Sequence, residues 1–309
     1  MVYFDLVLGP LLVSGIVAAT CECGYQTNAG DVWQYSILSD FSNTSTSTFA
    51  SSADWTIVDA VHESGTTNPY NLAYTSANVA VQDSTLQLTC SAYNMSSDMT
   101  IYAGEITTQR DDILYGSFRS NHRVQGGSGA VAALFFYADD DNEIDIEHLT
   151  DDPVTYVHFT NQPDETLTTS MPDGVERTSY ATYRFDWHPS QTRFYVNDML
   201  TTNFTADVPT VSGTIQLNSW ANGGSFTGAQ VPTTDSVMSV QWIRLYFNTS
   251  SSSSAASWAS ACEAAAVAIC QVDSDEIALN SAAKSSAGKL AVAYFWLQWV
   301  VLSSLVYLV

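Results

Sequence analysis

Positively charged side chains are scarce in this sequence, and lysine is almost absent. The 309 residues include 9 Lys and Arg against 32 Asp and Glu, which gives a formal net charge of −23 at pH 7. Both lysines, Lys284 and Lys289, lie near the C-terminus. Proteins that bind nucleic acid or anionic membrane surfaces do so through clustered Lys and Arg. The composition therefore argues against both kinds of partner.

A long helical period is also missing from about Gln26 to Phe247. That region instead contains many short segments of alternating polar and apolar residues or of β-branched and aromatic residues, such as STLQLT, TYVHFT, TYRFDW and GTIQLNSW. Such segments, separated by Gly, Asn, Asp and Pro, are typical of β-strands. Their short spacing over so long a region predicts a single all-β domain, built as a sandwich or a barrel.

The two ends of the sequence are apolar. Residues 1–19 predict a secretory signal peptide cleaved after Ala19, although no Lys or Arg precedes the apolar part; a buried N-terminal strand or helix is the alternative. At the other end, the small residues NSA at 280–282, a polar spacer and a charge-free apolar tail predict a GPI-anchor signal over residues 281–309. A membrane-spanning helix is the alternative there. Either way, we expect an extracellular protein held at the cell surface or cell wall.

Residues 20–247 are expected to form the folded domain, and residues 248–280 to form a Ser/Ala-rich linker or stalk. The serine-rich part of the stalk predicts a flexible, exposed chain, and the following ACEAAAVAICQ contains strong helix formers. Four sequons, which begin at the residues listed next, predict glycan sites on a secreted chain: Asn43, Asn94, Asn203 and Asn248.

The five cysteines do not have the spacing of a zinc site. In a secreted chain most cysteines are paired. We predict disulfide bonds between Cys90 and either Cys21 or Cys23, and between Cys262 and Cys270, with one thiol left over.

An acidic segment without any cation, YADDDNEIDIEHLTDD, spans residues 137–152. At its centre Glu143, Asp145 and Glu147 alternate with two isoleucines, which predicts a half-buried strand with three acids on one face. Three interpretations are open: a solvated acidic edge, a calcium site, or a catalytic row. Calcium prefers oxygen ligands arranged around a loop, so Asp139–Asn142 would suit a structural calcium ion better than the strand does.

A catalytic row has a geometric requirement. Retaining glycosidases need two carboxyl groups about 5–5.5 Å apart, one as nucleophile and one as acid/base. Residues four apart on a straight strand lie ~13 Å apart at Cα. Two long Glu side chains can close that gap by leaning toward each other over a shorter Asp on a concave sheet. Mutual repulsion would also raise the pKa of one member, so that it keeps a proton for the leaving group.

The motif NEIDIE at 142–147 resembles the signature of glycoside hydrolase family 16. The resemblance covers roughly residues 30–247 and includes three further blocks in the family's order: YGSFRSNHRVQGGSGAVAALFFY, YATYRFDWHPSQTRFYVND and LNSWANGGSFTG. It implies a concanavalin A-like β-sandwich (jelly roll), with Glu143 as nucleophile, Glu147 as general acid/base and Asp145 orienting Glu143. No extra residue precedes the last acid, and this unbulged form is typical of lichenase-like, xyloglucan-active and fungal wall-crosslinking members.

Other residues are weaker candidates for the site. Trp220 and Trp187 are predicted to stack on sugar rings, with a core position as the alternative for each. Asn161 is predicted to bond a sugar hydroxyl, unless it serves a turn. By parity with the isoleucines, His148 is predicted to be structural. Arg119 would either offset the negative charge of a cleft or lie on a solvated face.

These observations predict an extracellular β-glucan-active glycoside hydrolase of the endo-β-1,3(4)-glucanase type, with a retaining double-displacement mechanism. The alternatives are a cell-wall transglycosylase that joins glucan or chitin chains, and a non-catalytic carbohydrate-binding sandwich. The protein is expected to act as a monomer on polysaccharide and to meet the membrane only through its lipid anchor. No cofactor is expected, and a structural calcium ion is left open as an alternative.

Overall fold

The computed structural model describes residue 21, residues 23–95 and 98–265, residue 267 and residues 269–273. The predicted signal peptide and GPI-anchor signal lie outside these residues. The described part contains short β-strands and few helical residues: β1 Tyr25–Gln26, β2 Val32–Trp33, β3 Tyr35–Asp40, α1 Thr46–Ala50, β4 Trp55–Ile57, β5 Ala60–His62, β6 Asn71–Tyr74, a 3-10 turn Ser76–Asn78, β7 Val79–Gln82, β8 Thr85–Cys90, β9 Thr100–Thr108, β10 Ile113–Gly126, β11 Val131–Asp139, β12 Asn142–Leu149, β13 Tyr156–Asn161, β14 Glu165–Ser170, β15 Ala181–His188, β16 Gln191–Val196, β17 Met199–Phe204, β18 Thr214–Trp220, β19 Ser236–Thr249, α2 Ala255–Ala265 and β20 Cys270–Gln271.

Two large sheets pack face to face, which confirms the predicted β-sandwich. The first, called the cleft sheet, has the order β14-β13-β12-β11-β18-β9-β6-β5, with β4 also paired to β9. The second, called the back sheet, has the order β17-β16-β15-β10-β19-β8-β7, with β3 also paired to β19. Pairing is antiparallel except between β6 and β9 in these two sheets. No helix among the described residues is long and apolar enough to cross a membrane.

The hydrophobic core lies between the inward faces of the two sheets. Phe118 and Phe185 of the back sheet stack there with ring centroids 4.9 Å apart, and Trp187 contacts Phe136 of the cleft sheet at 4.3 Å. These four side chains are completely buried. Aromatic pairs of this kind contribute about 0.5–1.5 kcal/mol each beyond the area that they bury, so the core fixes how the sheets are stacked.

The acidic strand β12 is central in the cleft sheet, between β11 and β13. Its register with β11 is unbroken from Glu143 opposite Tyr137 to Leu149 opposite Val131. Ile144 and Ile146 are fully buried in the core, so alternation turns the acids to the outer face of this sheet. The strand therefore has no bulge between the acids, as the sequence predicted.

The disulfide prediction was wrong. Cys21 is bonded to Cys270 and Cys23 to Cys262, whereas Cys90 is a buried free thiol on β8. Because β1 pairs in parallel with β20, the N-terminal residues and the last described residues lie side by side, and their cysteines pair across the chain. Cys90 has no such neighbour, since it is completely buried within the domain.

The segment predicted to be a free stalk instead folds back onto the domain over its described part. We call α2, β20 and residues 272–273 the strap. Val272 packs against Trp33 and Tyr246 on the outer face of the back sheet, and the Trp258 indole donates to the carbonyl of Cys23 at 3.2 Å. Two disulfides and an apolar contact thus hold a segment whose composition alone predicted flexibility.

Candidate active site

The outer face of the cleft sheet contains a cleft of about 320 Å³. The three acids of β12 line it, together with aromatic, amide and acidic side chains from β5, β6, β9, β11 and β18: His62, Leu72, Tyr74, Glu105, Ala133, Phe135, Tyr137, Gln216, Asn218 and Trp220. The curvature of a twisted sheet brings these strands around a common hollow. The predicted row of acids is therefore at the bottom of a groove and not on a solvated edge.

Glu147 lies at one end of the acid row and is partly buried. Burial, helped by the negative charge of Glu143, raises the pKa of Glu147 from 4.5 to about 8. Burial also raises the pKa of Glu143 to about 7, with Asp140 adding to the effect, while a hydrogen bond to Asp145 opposes it. Both glutamates thus keep a proton to higher pH than an exposed carboxyl group does, and Glu147 has the higher pKa of the two.

Asp145 lies between the two glutamates and is 4% exposed. Burial first, then the charges of Glu147 and Glu143, raise the pKa of Asp145 well above its usual value. It is hydrogen-bonded to Glu143. A carboxyl group that keeps its proton can donate to a neighbouring carboxylate. Asp145 is therefore placed to hold the Glu143 carboxylate in one orientation and to favour its ionised form.

Comparison with known proteins identifies the domain. The sequence profile of the family "Glycosyl hydrolases family 16" matches residues 66–244, which is more than half of the chain. The chain belongs to this family. The matched residues include the whole acid row and all the strands that surround it in the cleft sheet from β6 to β18.

Among curated relatives of this family 16 chain, the beta-glucanase of Bacillus licheniformis is 30% identical over 141 residues, which are 42% of this chain and 57% of that protein. A xylanase/beta-glucanase of Ruminococcus flavefaciens is 28% identical over 198 residues, or 60% of this chain and 23% of that protein. The matched regions thus span at most slightly over half of these relatives.

Solved structures show the same fold. The Bacillus licheniformis beta-glucanase superposes with a TM-score of 0.58 at 23% identity and covers 69% of this chain and 98% of its own. The laminarinase catalytic domain of Thermotoga maritima gives a TM-score of 0.57 at 19% identity, with 71% of this chain and 100% of its own covered. The two-sheet sandwich is therefore that of family 16.

Trp220, which the sequence predicted to stack on sugar rings, lines the cleft. It is partly exposed, and the ring of Phe226 stacks beside it at 6.4 Å with an interplanar angle of 19°. Phe226 is 47% exposed. Two near-parallel aromatic faces at one end of a groove suit the apolar faces of pyranose rings.

The predicted sugar contacts of Trp187 and Asn161 are wrong. Trp187 is completely buried between the sheets, and its indole donates to the Pro209 carbonyl at 2.9 Å. Asn161 is also completely buried, on the core side of β13, and its amide donates to the Ala206 carbonyl at 3.1 Å. Neither side chain faces the cleft. Each lies an even number of residues from buried side chains of its own strand and therefore points into the core with them.

His148 and Arg119 are structural in this family 16 domain. His148 is completely buried on the core side of β12, which confirms its predicted parity. Arg119 neither offsets the cleft nor lies on a solvated face, so both alternatives were wrong. It is 6% exposed on the back sheet, where its guanidinium forms an ion pair with Asp273 of the strap at 2.5 Å.

A second buried acid in the cleft was missed by the sequence analysis. Glu105 of β9 is 8% exposed and accepts a hydrogen bond from the Asn218 amide at 3.0 Å. Burial raises the pKa of Glu105, while bonds from Asn218 and Tyr74 lower it in part. The available signal was one acid inside the otherwise uncharged strand TIYAGEITT. With Tyr74 it forms the polar floor of the cleft on the side of Trp220.

The turn at Asp139–Asn142, which suits calcium better than the strand does by sequence, is held by its own hydrogen bonds. Asp139 Oδ1 accepts from the Asp141 backbone at 3.1 Å and from the Asn142 amide at 2.8 Å, and Asp140 accepts from the Tyr137 hydroxyl at 2.9 Å. Within the described residues no group of three or more His, Cys, Asp and Glu side chains is arranged to hold a metal ion. A structural calcium ion at this turn stays a prediction.

Proposed function

We propose that this protein is an extracellular β-glucan-active glycoside hydrolase of the endo-β-1,3(4)-glucanase type, which cleaves its substrate with retention of configuration. The observation that carries the proposal is the unbroken Glu143-x-Asp145-x-Glu147 row at the bottom of an aromatic-walled cleft. A protein that only binds carbohydrate has no need for three adjacent acids whose burial is costly. Family membership, and relatives that include beta-glucanases, support the same chemistry.

In the first step the ionised Glu143 carboxylate attacks the anomeric carbon while Glu147 donates its proton to the oxygen of the departing sugar. Asp145 holds Glu143 in place. Because Asp145 keeps its own proton, it adds no negative charge next to the ionised Glu143 and so reduces the electrostatic repulsion within the acid row. In the second step Glu147, now ionised, removes a proton from water, which displaces Glu143 from the glycosyl-enzyme. The raised pKa of Glu147, about 8, supports its part as the acid.

The pKa values predict the pH dependence of this reaction. Activity needs Glu143 without its proton, pKa about 7, and Glu147 with its proton, pKa about 8. We therefore expect kcat/KM to rise toward neutral pH and to fall above about pH 8, as a narrow bell. A profile with its maximum near about pH 4, where both glutamates are protonated, would contradict these roles.

The extracellular setting is supported by two disulfide bonds, which persist in oxidising compartments. Lipid anchoring at a cell surface or wall rests on the sequence pattern of residues 281–309 alone. Phosphatidylinositol-specific phospholipase C should release the protein from membranes of a host that attaches GPI anchors. Retention on the membrane after that treatment would count against the anchor without affecting the proposed chemistry.

The substrate class is tested by incubation with laminarin, lichenan, xyloglucan and chitin oligosaccharides, with mass spectrometry of the products. Glu143→Gln removes the nucleophile and should abolish cleavage. The matched control is Asp141→Asn, which removes an exposed acid from the same segment outside the cleft and should leave cleavage unchanged. No cleavage of any of these substrates by the wild-type protein, under conditions where it binds them, would favour the carbohydrate-binding alternative.

A further inference from the structure

The outer face of the cleft sheet differs on the two sides of β12. One row of side chains crosses the cleft sheet through Glu147, and its members face the same side because each is directly opposite the next. In order across β9, β18, β11, β12, β13 and β14 these residues are Glu105, Asn218, Ala133, Glu147, His158 and Thr168. The residues that line the cleft, Trp220 among them, lie on β12 and on the β11 side of it. His158 lies on the other side of Glu147, directly opposite it on β13 and just outside that lining.

His158 is held at both ring nitrogens. Its Nε2 lies 2.5 Å from an Asp152 carboxylate oxygen, and its Nδ1 lies 2.9 Å from the Thr168 hydroxyl. We call Asp152, His158 and Thr168 the polar shelf. The His158 side chain is 15% exposed and that of Asp152 is 30% exposed. The imidazole is thus fixed, while a carboxylate and a hydroxyl beside it remain open to solvent.

The two halves of a retaining cleft have different tasks. One half must keep the glycosyl group in place while it is covalently bound, and the other must release the departing sugar and admit the incoming hydroxyl. Aromatic faces give strong sugar contact, which suits the first task. The shelf offers hydrogen-bonding groups, and its one ring, the His158 imidazole, is held at both nitrogens by Asp152 and Thr168. Contacts of this kind suit a sugar that must exchange.

We propose that the polar shelf is the binding site for the leaving-group sugar and for the acceptor that replaces it, with His158 as the positioning residue. In this arrangement His158 fixes Asp152 and Thr168, whose free oxygens contact sugar hydroxyls, next to the carboxyl of Glu147. The hydroxyl that attacks the glycosyl-enzyme then gives its proton to Glu147. This inference rests on the proposed function and identifies the residues that decide between water and a second saccharide.

The test uses the whole protein, a 4-methylumbelliferyl β-laminaribioside donor and laminaritetraose as acceptor. Release of the fluorophore without acceptor measures the first step, and the rise in transfer product with acceptor measures the shelf. His158→Leu removes two hydrogen bonds, so the acceptor concentration for half-maximal transfer should rise about tenfold. The conservative His158→Gln should restore part of the loss. Thr166→Val, on the same strand as Thr168 but without contact to His158, is the control and should change neither measurement.

An unchanged acceptor dependence in His158→Leu would overturn the proposal. So would an equal fall in both measurements, since that outcome means that His158 only supports β12. Binding is measured separately, so that failure of the proposed function does not hide the answer. Laminaritetraose added to Glu143→Gln should shift the ¹⁵N signals of the His158 imidazole in NMR spectra. Saturation with no shift at His158 would refute the shelf, whereas a shift without any wild-type turnover would refute only the proposed catalysis.

Discussion

Two histidines contact each other inside the sandwich, and their burial predicts that acid destabilises the protein. The rings of His122 and His148 lie 5.6 Å apart, and both pack on Tyr183, at 4.3 and 4.7 Å. Burial lowers the pKa of His148 to about 3; a hydrogen bond with the Tyr156 backbone opposes this shift, and Arg177 and His158 add to it. Burial and the neighbouring His148 also lower the pKa of His122 well below its usual value.

The magnitude follows from the pKa of His148. An unfolded histidine titrates near 6.5 and one pKa unit corresponds to about 1.36 kcal/mol. Because the folded pKa is the lower one, the unfolded state binds more protons below about pH 6.5, and stability falls as the pH falls. From about pH 6.5 to pH 4 the loss from His148 alone is about 3 kcal/mol, since its folded pKa is about 3. That is a large share of the roughly 5–15 kcal/mol typical of a domain.

The perturbation is His148→Phe, which keeps a ring in the aromatic cluster and removes the titration. The free energy of unfolding of each protein is measured in urea at about pH 4 and about pH 8. Between about pH 8 and pH 4 we expect the wild type to lose about 3 kcal/mol more of this free energy than the variant does. The constant cost of repacking cancels in that comparison, as do the carboxylates common to both proteins. His62→Gln, which changes an exposed histidine, should follow the wild type.

Parallel loss of stability in the wild type and in His148→Phe between about pH 7 and pH 4 would refute the reasoning. The buried imidazole would then either be protonated in the folded state or find a compensating partner there.

Three further predictions concern the cleft, the core and the free thiol. Glu143→Gly with azide should yield the α-glycosyl azide, and Glu147→Gln with an activated aryl glycoside and azide should yield the β-anomer; NMR of the products that showed the reverse would exchange the two roles. Trp220→Ala should raise KM up to about tenfold and change the free energy of unfolding little. Trp187→Ala should lower the free energy of unfolding in urea by about 3–5 kcal/mol, and equal effects of the two substitutions would contradict their placement. Cys90 is completely buried with its pKa raised to about 12, so mass spectrometry should find it alkylated only after denaturation, and labelling of the folded protein would show that β8 opens.

The alternation of polar and apolar residues within a single strand predicted which face of the sheet each side chain of that strand occupies. The pattern around Ile144 and Ile146 was enough to place three acids on one face and His148 on the other. The same parity would have corrected Trp187, which shares the face of Tyr183 and Phe185 in TYRFDW. Two-residue alternation with Tyr183 and Phe185 places Trp187 on the buried face of β15.

Features that join distant segments could not be predicted in this way. Cys21 and Cys270 are 249 residues apart, and their pairing depends on β1 and β20 meeting outside the two main sheets. Five cysteines allow several pairings, and spacing alone does not choose among them. The polar shelf and the Glu105 contact likewise depend on the order of strands across the cleft sheet. That order is set by packing of the entire sandwich.

The strap has a mechanical consequence. The described chain enters the domain at Cys21 and leaves it beyond Cys270, and these two Cα atoms are only 5.3 Å apart. They lie on the back sheet's side, since Asp273 contacts Arg119 there. A pull on either end is therefore carried by a covalent crosslink, and the strands of the sandwich are bypassed. Both ends of the described chain thus leave the domain at one place on the side of the back sheet, and force applied between them loads the Cys21–Cys270 bond before it loads any strand.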